Sequence, residues 1–136
     1  MIQKFIDLYE KNKHEIREKY TKEHPEEYKD IVTAVIHAIS KESDYETYDD
    51  RPSTKLIHEI DDGDYQGTKL YLIASAAYQP SKYWYCFVDY GSCSGCDTLE
   101  RVKDYSSEPP TKGQTDGYML MALHIVQSLK MIDSAE

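Results

Sequence analysis

The sequence lacks an apolar run long enough to cross a membrane. Its longest runs, Met119 to Leu123 and Tyr71 to Ala77, fall well short of the roughly 18 residues that a bilayer requires. The opening residues, Met1-Ile2-Gln3-Lys4, do not begin a signal peptide. The sequence therefore predicts a soluble protein that acts inside a cell.

Basic residues are also few. The 136 residues include 16 Lys and Arg against 25 Asp and Glu, which gives a formal net charge of −9. No basic cluster stands out, and such a charge repels phosphate backbones and anionic lipid. We therefore expect neither direct nucleic-acid binding nor membrane binding, and the oligomeric state stays open.

Familiar catalytic signatures are missing as well. The chain contains no P-loop, no dinucleotide-binding fingerprint and no internal repeat. His58 and Glu59 are adjacent on a predicted strand, so their side chains point to opposite faces and cannot act as a pair. We assign no catalytic residue, and an enzyme is not the favoured interpretation.

What the sequence does contain is enough apolar surface for one folded domain, which we assign to residues 1–136. Forty per cent of the residues are hydrophobic and 12% are aromatic, which is sufficient for a core in a chain of this length. Apolar residues recur at three- and four-residue steps from Ile2 to Tyr20, and again from Ile31 to about Ser40. His24-Pro25 separates the two stretches. The pattern predicts two helices paired as a hairpin.

Three strand-like runs follow, separated by residues that favour turns, and they cover Thr54 to Ile60, Thr68 to Ala77 and Tyr83 to Tyr90. Short separators allow consecutive strands to pair antiparallel, which predicts a three-stranded sheet. Asp97 begins a predicted short helix. Thr115 or Asp116 begins a final helix that is apolar on nearly all sides and is therefore expected to be buried against the sheet. The predicted fold class is α+β.

Cys93 and Cys96 form a C-x-x-C motif between a predicted strand and a predicted helix. Helix amides lower the pKa of a thiol, so a redox role is one interpretation. Zinc is another, with Cys93, Cys96 and His58 as candidate ligands, although a structural zinc site usually has four ligands. A tight turn is the simplest interpretation, and we expect no cofactor. Cys86, in the middle of a strand, is expected to be a buried small hydrophobe.

An acidic segment between the helices and the strands is the predicted binding site. Residues 41–53 show no apolar periodicity that would tie them to the core, so their aromatic side chains are available for contact with another protein. The predicted contact residues combine tyrosine with carboxylates, and they are Tyr45, Glu46, Tyr48, Asp49 and Asp50.

Two blocks carry a resemblance. The segments IDDGDYQGT, from Ile60 to Thr68, and DYGSCSGCDTL, from Asp89 to Leu99, resemble two blocks of a family of small, uncharacterised bacteriophage proteins. The second block is the more specific, and the resemblance covers about residues 57–102. It implies no activity and no catalytic residues. It does imply a phage genome and action in the cytoplasm of a bacterial host.

The interpretation that combines these observations is a small acidic phage accessory protein that binds a host protein. Such a protein would act as an inhibitor, in host takeover or against host defence, and its charge of −9 would complement a basic surface or imitate nucleic acid. The alternative is a small metal-binding or thiol-redox protein centred on Cys93 and Cys96. A structural virion protein is a third class, but the sequence shows no β-rich pattern typical of an oligomer that would favour it.

Overall fold

The computed structural model describes residues 2–61, 68–89 and 109–133. Within these residues the helices and strands follow the order α1 (Ile2–Lys22), α2 (Tyr28–Ile39), β1 (Pro52–Asp61), β2 (Thr68–Ser75), β3 (Lys82–Asp89), α3 (Lys112–Ser128) and β4 (Lys130–Asp133). Two short 3-10 helices, Glu42–Asp44 and Tyr48–Asp50, lie between α2 and β1. The predicted α+β class is confirmed. The short helix predicted from Asp97 lies outside the described residues.

The sheet has four strands in the order β1-β2-β3-β4, and every neighbouring pair is antiparallel. The predicted meander of β1, β2 and β3 is confirmed, but the sheet is larger than the three strands predicted. β4 adds to β3 through the pairs Tyr83 with Ile132 and Tyr85 with Lys130. Four residues are too few to display an alternating pattern, so pairing with β3 rather than local sequence defines this strand.

The helices cover one face of the sheet, which we call the inner face. Ile57, Ile73 and Trp84 lie side by side across β1, β2 and β3, and all three are buried. Helix α2 packs against β1 and helix α3 against β3. Phe5 of α1 meets Trp84 edge-on, with 5.7 Å between ring centroids. The core therefore fills the space between the inner face and the helices, and α1 and α2 pack together as the predicted hairpin.

Buried polar side chains fix the helices to one another. Asn12 Nδ2 of α1 donates a hydrogen bond of 2.8 Å to the Ala38 carbonyl of α2. Thr115 Oγ1 of α3 donates one of 2.7 Å to the Tyr20 carbonyl of α1. Both carbonyls belong to the last turn of a helix, where backbone acceptors have no partner within the helix. These bonds therefore satisfy otherwise orphaned groups and set how the helices meet.

Helix α3 begins earlier than predicted. Thr111 caps the helix. Its Oγ1 accepts a hydrogen bond of 3.2 Å from the backbone amide of Gln114, and Gln114 Oε1 accepts one of 2.9 Å from the backbone amide of Thr111. This reciprocal capping box moves the start to Lys112. The helix is buried as expected at most apolar positions, but Leu120 is 54% exposed. Within residues 2–61, 68–89 and 109–133, no helix combines the length and hydropathy needed to span a bilayer.

Candidate protein-binding site

The predicted contact residues lie in a structured segment. We call Glu42 to Arg51 the 42–51 segment; it contains both 3-10 helices. Each helix is closed by a backbone hydrogen bond, from the Tyr45 amide to the Glu42 carbonyl at 3.3 Å and from the Arg51 amide to the Tyr48 carbonyl at 3.2 Å. The segment therefore has a defined backbone conformation.

Tyr45 anchors the segment to the core. The side chain is half-buried and packs against the core cluster. Its hydroxyl donates to the carbonyl of Ile39, the last residue of α2, and Lys4 Nζ lies 4.1 Å from its ring centroid. Burial raises the pKa of Tyr45 well above its ordinary value. The expectation that nothing ties this segment to the core is wrong for Tyr45, because a tight turn can bury one aromatic ring without any periodic pattern.

Asp50 and Arg51 attach the other end of the segment. Asp50 is half-buried and forms an ion pair with Lys82 at the start of β3, and Thr47 Oγ1 donates to the same carboxylate at 3.0 Å. The Arg51 carbonyl accepts a 2.7 Å bond from the amide of Ala76, just beyond β2. Asp50 therefore serves the internal structure, and the structure does not present it as a free carboxylate for a partner.

Tyr48 is the predicted aromatic contact residue that lies exposed to solvent. Its side chain is 58% exposed. The Arg51 guanidinium carbon lies 5.6 Å from its ring centroid, and its hydroxyl lies 3.5 Å from Glu42 Oε1. Together with the exposed Glu46, these residues border a cleft of about 170 Å³. Asp49 belongs to the same 3-10 helix as Tyr48, and its side chain is outside the described set.

The predicted metal ligands are not brought together in the part of the chain that the structure describes. His58 lies exposed on β1, paired with Leu72 of β2, whereas Cys93 and Cys96 lie outside the described residues. Among the residues that are described, no group of three or more His, Cys, Asp and Glu side chains is arranged to hold a metal ion.

Cys86 is buried, as predicted. Burial raises the pKa of its thiol to about 12, so the thiol stays protonated at neutral pH. Because the thiolate is the nucleophile and the metal ligand, a protonated thiol performs neither role. Cys86 therefore contributes to packing.

Sequence reasoning missed a polar row on the inner face. Glu59, Tyr71 and Cys86 lie beside one another on β1, β2 and β3, and Glu59 also forms a 3.5 Å ion pair with Lys69. Burial, followed by the negative charge of Glu59, raises the pKa of Tyr71 far above its ordinary value. The row holds one carboxylate beside two protonated groups, which is a structural arrangement rather than an activated nucleophile. Its sequence signal was a set of polar residues at inward strand positions.

No protein-family model, curated protein or solved structure matches this chain. The functional interpretation therefore depends on the surfaces that the described residues present. In the 42–51 segment, Tyr48 has both a guanidinium and a carboxylate beside it, and more than half of the side chain remains open to a partner.

Proposed function

We propose that this chain is a small acidic phage accessory protein that acts in the cytoplasm of a bacterial host by binding a host protein, as an inhibitor or in host takeover or anti-defence. The observation that carries the proposal is the exposed Tyr48 ring, held on an acidic segment that is anchored at both ends. The phage and host parts rest on the resemblance of the two blocks within residues 60–99.

An exposed aromatic ring with neighbours on two sides suits this role physically. Binding costs free energy for every side chain that must be ordered, and Arg51 and Glu42 already restrict the Tyr48 ring. Tyrosine is enriched at binding hot spots, where truncation costs about 2 kcal/mol or more. The partner expected from this chemistry offers a pocket for the ring, surrounded by basic residues that complement the net charge of −9.

Tyr48→Ala tests the proposal by capture of partners from a bacterial lysate, with Leu120→Ala as the matched control. The two side chains are almost equally exposed, at 58% and 54%, and Leu120 lies on a different element, α3. We expect Leu120→Ala to retain the partner and Tyr48→Ala to lose it, with unchanged circular dichroism and melting temperature. A folded Tyr48→Ala protein that captures the same partner equally well would refute the proposed contact.

Charge reversal tests the electrostatic part separately. Reversal of Asp50 would also break its ion pair with Lys82, so the exposed Glu46 is the cleaner position. Glu46→Lys should slow association with the partner most at low salt, because charges at the rim of an interface act mainly on the association rate. Glu23→Lys, at an exposed position directly after α1, changes the net charge equally. Equal slowing by both variants would show that only overall charge matters.

A further inference from the structure

The face of the sheet opposite the helices, which we call the outer face, is apolar. An antiparallel sheet covered on one side normally presents polar residues on the other. Here Phe87 is 56% exposed, Leu56 50% and Ile132 45%. The outward positions with described side chains, from the strand register and from the hollow shared by Leu56, Leu72, Ala74 and Tyr83, are Leu56, His58, Ile60, Leu70, Leu72, Ala74, Tyr83, Tyr85, Phe87, Lys130 and Ile132.

The outer face also differs in charge from the rest of the chain. The sequence has 25 acidic residues among 136, yet none of the eleven outward side chains that the structure describes is acidic. The strand register also gives Asp89, opposite Thr68, an outward position at the end of β3. His58 and Lys130 are its members that carry a positive charge when protonated. The helices that the structure describes pack on the inner face, so they leave this apolar surface open.

We propose that the outer face binds the outer face of a second copy of the chain, which forms a symmetric dimer of stacked sheets. A chain with a net charge of −9 repels its own copy wherever carboxylates meet. A face that is mostly apolar and carries few charges is complementary to itself with little need for a matching pattern of opposite charge. Two such faces stack with their sheets about 10 Å apart, as in β-sandwiches.

The size of the face indicates a weak dimer. Strands about 4.8 Å apart with a rise of about 3.3 Å per residue give each outward residue about 30 Å² of sheet, so eleven positions present about 350 Å² in projection. Protruding side chains make the accessible area larger than this projection. The projected area is still less than half of the about 800 Å² per partner that a standard specific interface buries, which places this face among those of weak, transient complexes. We therefore expect weak association that becomes visible only at micromolar or higher concentrations.

Sedimentation velocity of the full chain, from about 1 μM to about 500 μM, tests the dimer across this affinity range. We expect the wild type to shift from monomer to dimer. Phe87→Lys and Ile132→Lys should each weaken association by at least about 30-fold, the effect of losing one hot-spot side chain. Leu120→Lys makes the same charge change at a similarly exposed site on α3, and it should leave association unchanged. Because all three positions are exposed, circular dichroism should confirm that the variants fold.

A wild type that stays monomeric over the whole range overturns the proposal. In that case, a lower melting temperature for Phe87→Lys would show that the face is covered within one chain, and loss of a captured bacterial protein would show a different partner. A dimer that survives both outer-face substitutions overturns it too, because its interface lies elsewhere. Tyr48→Ala should not alter dimerisation, so this test and that of the proposed function fail independently.

Discussion

Substitution of Tyr45 separates a structural role from a contact role in the 42–51 segment. Tyr45→Phe removes the hydroxyl that donates to the Ile39 carbonyl. Ile39 ends α2, so no backbone amide within the helix donates to this carbonyl. It therefore accepts a hydrogen bond from Tyr45 or from water. The loss should destabilise the protein by about 1 kcal/mol, the usual contribution of one intramolecular hydrogen bond.

Tyr45→Ala removes the ring as well. Truncation of a fully buried aromatic side chain costs about 3–5 kcal/mol, but Tyr45 is only half-buried. Contact with Lys4, at 4.1 Å from the ring centroid, adds about 0.5 kcal/mol. We therefore expect a total loss of about 3 kcal/mol for Tyr45→Ala. Tyr48→Ala, which removes an exposed ring, should change stability by no more than about 0.5 kcal/mol.

Urea denaturation followed by tryptophan fluorescence measures these differences. Trp84 is the single tryptophan and is fully buried, so its emission reports loss of the core. With a slope of about 1–3 kcal/mol per M, Tyr45→Ala should lower the midpoint by at least about 1 M. If Tyr45→Ala left the midpoint within about 0.2 M of the wild type, the ring would contribute no packing, and Tyr45 would again be a candidate for partner contact.

Three further predictions concern stability and thiol chemistry. Burial raises the pKa of Cys86 and of Tyr9 to about 12 each, so the unfolded state releases these protons first as the pH rises. The free energy of unfolding should be unaffected below about pH 8 and should fall above about pH 9, by up to about 1.4 kcal/mol per pH unit for each group. Melting curves should show a shallower alkaline decline for Cys86→Ala, and an equal decline would contradict the assignment. Thr111→Ala should cost about 1 kcal/mol in urea denaturation because it removes the cap of α3, whereas Thr111→Ser should retain most of it; equal loss from both would show that the hydroxyl is not what matters. Replacement of both Cys93 and Cys96 by Ser should change neither metal content nor disulfide reduction, and one zinc per untagged wild-type chain in elemental analysis would contradict that.

The regular elements with long patterns were predictable from the sequence. Helices α1 and α2 extend over 21 and 12 residues, and each repeats its apolar stripe several times. Strand β4 has four residues, so no pattern can distinguish it from a loop. The start of α3 was readable, because Thr111 and Gln114 have capping-box spacing. The neighbouring Pro109-Pro110 and Gly113 favoured a loop and concealed it.

The candidate site was less predictable because its residues lie in irregular structure. Tyr45 and Tyr48 are three residues apart and chemically identical, yet one reaches the end of α2 and the other faces solvent. The chain bends at residues 46–47, between the two 3-10 helices, and neither residue identity nor spacing encodes this bend uniquely. The sequence therefore predicted the same contact role for both tyrosines, whereas in the structure Tyr45 anchors the segment and Tyr48 is an exposed ring.

The strands posed a related problem, because β2 is apolar on both faces. Tyr71 and Ile73 point inward and are buried, while Leu70 and Leu72 point outward. Such a run does not show which face meets the core. The helices cover one of the two faces, whereas Leu56 and Phe87 on the other face are exposed. The outward apolar residues of β2 therefore form a second apolar surface, on which the helices do not pack.

The two proposed surfaces are compatible with simultaneous use. The 42–51 segment is tied to Lys82, which shares the inward alternation of Trp84 and Cys86 along β3. The segment is therefore attached on the inner side of the sheet, and a second copy stacked on the outer face would leave Tyr48 open. A dimer would then display two Tyr48 rings, and a partner with repeated sites would bind it more tightly than it binds the monomer through effective concentration alone. Weakening the dimer with Phe87→Lys should reduce capture of such a multivalent partner while leaving the affinity of each single site unchanged.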